Sequence, residues 1–63
     1  MKLKNVKVGQ RVQYKGNISG HSEHTPVGAT GTIVEADGSD RPLVKWDGLY
    51  NQWTYIGNLR KVK

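Results

Sequence analysis

Sixty-three residues suffice for one domain, spanning 1–63, and for no second core, since a domain takes about 50 to 250 residues. With 35% hydrophobic residues and no cysteine, the chain has material for a single small core, no disulfide framework and no thiolate metal site, and it is too small for the machinery of a multistep enzyme. Ten Lys and Arg against five Asp and Glu leave a net charge of +5, the sign that suits an anionic partner.

The lysines of the first fifteen positions are not followed by an apolar run of about 7 to 15 residues, and nowhere does one approach about 18. Neither a signal peptide nor a membrane span is expected, and the predicted address is cytoplasmic. Eight glycines and two prolines punctuate the chain so densely that a helix of ordinary length, about 11 residues, has nowhere to sit. Between them lie short β-branched and aromatic runs, which predict five strands at 10–15, 30–36, 43–47, 51–55 and 59–62. In the first, Val12 and Tyr14 share one face, with Arg11, Gln13 and Lys15 opposite. In the third, Val44 and Trp46 oppose Leu43 and Lys45, so each strand presents one face to a core.

The segment 16–28 mixes Asn17, Ser19, Gly20, His21, Ser22, His24, Thr25 and Pro26 with little apolar content and predicts one long loop after the first strand. Asp37-Gly38 and Asp47-Gly48 supply the positive-φ residue of tight hairpin turns, so the second, third and fourth strands form a meander. Residues 55–59 predict a single tight turn, 3₁₀ in character, before the last strand. Five strands are too few for a two-sheet sandwich, and the expected architecture is an all-β, small closed barrel. Ile33, Val44, Ile56, Leu59 and Val62 are its aliphatic filling, and Gly31, between Thr30 and Thr32, allows a close backbone approach or a sharp bend.

Four short stretches, Val8-Gly9-Gln10-Arg11-Val12, Gly28-Ala29-Thr30-Gly31-Thr32-Ile33-Val34, Leu43-Val44-Lys45-Trp46 and Asn58-Leu59-Arg60-Lys61-Val62, resemble the five-stranded SH3-like small barrel of the KOW type found in ribosomal proteins and transcription elongation factors. The Gly-Thr and Trp-Asp stretches are also similar to those of mind-bomb-type SH3-like domains. The 55–59 turn is similar to the one preceding the last strand of peptide-binding SH3 domains, but Ile56 stands where that family has proline. The loop at 15–27 is longer than its KOW counterpart.

The resemblance implies that the two terminal segments meet. Lys2, Lys4, Lys7, Arg11, Arg60, Lys61 and Lys63 would then gather on one side as a phosphate-binding patch, joined by Lys15, Arg41 and Lys45. Tyr14, Tyr50 and Trp53 are the aromatic residues expected to meet a ligand, by stacking on bases or by clamping a peptide. A solvated basic face and aromatics packed on their strand neighbours are the plainer readings of the same residues.

His21, Glu23 and His24 offer three ligands at most on an unorganised loop, so no metal and no cofactor is expected. Asn17-Ile18-Ser19 matches the glycosylation pattern without the secretion signal that would give it meaning. No nucleophile motif or phosphate-cradling loop is present in the sequence, and the aspartates are placed as turn residues are. The expectation is a monomeric, non-enzymatic module that binds nucleic acid, RNA or DNA. A protein interaction adaptor of SH3-like type is the alternative, and the small reading frame suits a bacterial or phage origin.

Overall fold

A computed structural model describes residues 6–17 and 25–62. Five strands are present: β1 (Arg11–Tyr14), β2 (Thr30–Glu35), β3 (Leu43–Trp46), β4 (Asn51–Trp53) and β5 (Leu59–Lys61), with one 3₁₀ turn, Ile56–Asn58, before the last. Every strand falls inside its predicted run, one or two residues shorter, because the pairing partners stop before the β-prone residues do. All strand pairs are antiparallel, in the order β4-β3-β2-β1-β5. No helix among the described residues is long and apolar enough to cross a membrane.

The sheet is all-β and five-stranded as the sequence predicts, and consistent with a small SH3-like barrel, but it is not closed: no ladder joins β4 to β5. It is nevertheless strongly curled, as the connection requires. Five residues link β4 to β5, three of them wound in the 3₁₀ turn. That path reaches roughly 16 Å, whereas four strand spacings of a flat sheet already amount to about 19 Å. Curvature enters at β2, where Val34 is an extra residue between the Ile33–Val44 and Glu35–Leu43 pairs, a bulge of the kind that sharpens local twist.

Gly31 does what its position predicts. A Cβ there would stand 2.7 Å from the Lys45 carbonyl oxygen and 2.9 Å from both the Trp46 ring and a Val44 methyl, so only glycine lets β3 and its indole press this closely on β2. Inside the curl, Val12, Tyr14, Ile33, Val44, Trp46 and Leu59 are buried, with the Tyr14 and Trp46 rings edge to face at 6.0 Å. Each such aliphatic contributes roughly 1.5 to 3 kcal/mol before entropy.

Two expected core residues differ. Ile56 and Val62 are only half-buried, and the fully buried side chains of the closing segment are instead Thr54 and Asn58. Around the 3₁₀ turn the backbone N–H of Asn58 donates to the Tyr55 carbonyl and its backbone carbonyl accepts from the Lys15 N–H, while the buried Thr54 hydroxyl donates to the Gln52 carbonyl.

The two Asp-Gly signals give different turns. Between β3 and β4, Leu49 donates to the Trp46 carbonyl around Gly48 at φ 71°, the geometry of a four-residue type II turn. Between β2 and β3 the connection is longer than a tight hairpin. Asp37 accepts from the Ser39 amide, the Ser39 hydroxyl accepts from the Arg41 amide, and this chain of local bonds takes the place of the two-residue turn. The ends of the 16–28 loop are pinned, since Gly28 donates to Tyr14 and Tyr14 to Ala29.

Candidate nucleic-acid interface

Alternation puts one set of side chains on the outer face of the sheet, away from the core. Register aligns Arg60 with Gln13 and Gln13 with Thr30 in one row, and Arg11, Thr32, Lys45 and Asn51 in the next. A third row holds Glu35, Leu43 and Trp53. The first of these rows crosses from β5 through β1 into β2, so the first and last strands of the chain are direct neighbours, and the Val62 amide donates to the Arg11 carbonyl.

The middle of this face is neutralised. The Arg11 guanidinium reaches over β2 to grip both Asp47 oxygens, at 3.0 and 2.5 Å, and also donates to the Thr32 hydroxyl, while Thr30 donates to Asp47 at 3.2 Å. The bonded guanidinium holds the Asp47 carboxyl below the usual carboxylate range, assisted by Thr30 and by the field of Lys45. Arg11 is pushed up in turn, with the bond to Asp47 as the main cause. Arg11 is therefore corrected from a free phosphate ligand to half of a bidentate pair, since its planar fork is already occupied by a carboxylate.

The remaining predicted bases divide among several sides. Lys45 and Arg60 are exposed on the outer face. Lys61, one residue along from Arg60, has the opposite pleat and pairs with Val12, so the two do not share a face. Lys7 and Lys15 are exposed at the two ends of β1, where backbone bonds hold them: Gln10 donates to the Lys7 carbonyl, and the Lys15 amide to Asn58. Arg41 lies over the Tyr55 ring at 5.1 Å, a cation–π contact that combining 41 with 55 in sequence does not suggest. Lys2, Lys4 and Lys63, like His21, Glu23 and His24, lie outside the described residues.

The aromatic candidates separate as sharply. Tyr14 is corrected: it is 2% exposed and packs its ring against Trp46, because its place in β1 alternates with Arg11 and Gln13 toward the core. Tyr50 and Trp53 are 42% and 40% exposed. Trp53 pairs with Leu43 and stands diagonal to Lys45, so the outer face carries an aromatic ring beside a cation. No cavity interrupts the described surface; a ligand would meet a face rather than enter a pocket.

Sequence reasoning misses Asp47 as an ionic partner of Arg11 and Thr30 and Thr32 as the hydroxyls bonded to the pair. Arg11 reads as an outward strand residue and Asp47 as a turn residue, and the register that joins them is not local. Comparison of the chain with protein-family models, with curated proteins and with solved structures gives no match.

Proposed function

We propose that the chain is a small non-enzymatic module that holds nucleic acid against the outer face of its sheet, with the backbone on exposed bases and a base on Trp53. The observation that carries this reading is the β1–β5 pairing, which makes neighbours of two basic segments far apart in sequence. Five of the ten bases lie in 1–15 and three more in 60–63. Lys45 and Arg60 are the described contributors on the outer face, with Lys7 and Lys15 exposed at the ends of β1; Lys61 lies on the opposite pleat, Lys2, Lys4 and Lys63 belong to the flanking segments, and Arg11 orders the face rather than touching phosphate. The resemblance to KOW-type barrels points the same way.

A ligand read by its charge and its π faces needs no pocket, and a face of alternating cations, amides and an indole suits single strands with modest sequence preference. Fluorescence anisotropy with labelled single-stranded RNA, single-stranded DNA and duplex DNA tests it across salt concentrations. The expected result is affinity that falls linearly on a log-log salt plot, by about 0.7 per phosphate contact for single strands and about 0.9 for duplex. Absence of binding at low salt, or binding without a salt slope, would exclude the reading.

A further inference from the structure

The two edges of the sheet are built differently. The β5 edge carries Arg60 and Lys61, charges that keep a stray strand from pairing there. The β4 edge, Asn-Gln-Trp, carries no charge. Around it are exposed Leu49 at 48%, together with Tyr50 and Trp53.

The direction of the β4 backbone follows from its neighbours. Trp46 donates to the Tyr50 carbonyl and Thr54 donates to the Pro42 carbonyl, so in an antiparallel ladder Gln52, midway between, turns both its groups to Val44. Asn51 and Trp53 consequently turn their N–H and C=O groups outward, away from the sheet. The Gln52 side-chain amide donates to the Trp53 carbonyl at 3.2 Å, which leaves the Asn51 N–H, the Asn51 carbonyl and the Trp53 N–H facing out. Among the described residues no strand pairs with this side of β4, and an open backbone edge flanked by apolar side chains is the feature that accepts an added strand.

Charge selects the occupant. A second copy would set +5 against +5, whereas Lys45, across from Asn51, and Arg41, in the segment bonded to Thr54 and Ile56, outweigh the neighbouring Asp40, Asp47 being held by Arg11, and attract carboxylates. We infer that β4 is a docking edge for an extended, acidic segment of a partner protein, which adds a sixth strand beside β4, lays its alternate apolar residues on the Tyr50 side and leaves its carboxylates on the outer face with Lys45. This goes beyond nucleic-acid binding and does not depend on it: the open backbone of one edge carries it, although Lys45 serves both readings.

The probe is a fluorescein-labelled nine-residue peptide alternating valine and glutamate, compared with its valine–lysine counterpart, against the full chain. Two-dimensional amide NMR is expected to show the glutamate peptide shifting Asn51 and Trp53 and slowing their solvent exchange, with β5 unmoved. Asn51→Pro removes an outward N–H that the ladder does not use, and is expected to weaken the peptide at least tenfold. The wild-type amide measurement stands alone should that variant not fold. Equal response to the lysine peptide, perturbation at β5 instead, no response at millimolar peptide, or dimerisation through β4 would each overturn the proposal. An oligonucleotide titration that fails while the peptide binds would remove the nucleic-acid reading alone.

Discussion

The inner and outer faces of this sheet use the same strands and are held by different physics. Inside, Val12, Tyr14, Ile33, Val44, Trp46 and Leu59 exclude water and fit one another so closely that Gly31 has no room for a methyl group. Outside, Arg11, Asp47, Thr30 and Thr32 tie three strands together by exposed hydrogen bonds, and Lys45, Arg60 and Trp53 are left to solvent. Substitutions inside therefore report on whether the chain folds, and substitutions outside on what it does once folded. For a chain this short, in which a core rarely supplies more than about 3 to 5 kcal/mol, that division is steep.

The largest effect is expected at Trp46. Trp46→Ala empties the centre of the core and costs about 3 to 5 kcal/mol, enough to leave most molecules unfolded in circular dichroism at 25 °C. Gly31→Ala tests the close approach itself: the added carbon meets backbone oxygen that cannot swing aside, for a loss of about 1 to 3 kcal/mol in urea unfolding. A wild-type midpoint in that variant would show that β3 can stand off from β2, and the contrast between faces would weaken.

Asp47→Asn moves the comparison to the outer face, where the cost is smaller and depends on pH. Because the bond to Arg11 lowers the folded carboxyl below its unfolded value, its stabilisation is fully present above about pH 4 and is lost as pH falls through the lower folded value. The gap between wild-type and Asp47→Asn urea midpoints should accordingly be open at pH 7 and close on acidification below pH about 4. A gap that stays constant would mean that Asp47 acts only through its turn. Lys45→Gln, smallest in stability, should leave the urea midpoint within about 0.5 kcal/mol and reduce the oligonucleotide salt slope by about 0.7 to 0.9. A slope unchanged by it would take the outer face out of the nucleic-acid reading.

Much of this fold is legible in the chain. Each strand, the 3₁₀ turn and the buried positions of β1 and β3 follow from apolar alternation between glycine-bearing turns, and Gly31 announces a close approach. The functional surface is less so. Arg11 reads as a phosphate ligand and Tyr14 as a ring offered to a base, yet one is gripped by a carboxylate and the other faces the indole. Asn58, polar and near the end, carries no sign that it lies fully buried where Ile56 was expected to.

By itself the sequence determined the all-β character, the order of its elements, which strand positions turn inward and an excess of positive charge, because pleat alternation and positive-φ turns are properties of a few adjacent residues. Only the tertiary structure decided which cations remain free, which aromatics reach solvent, that the sheet curls without closing and which edge is bare. Those depend on register between strands, and the Arg11–Asp47 pair spans 36 positions that no local rule connects.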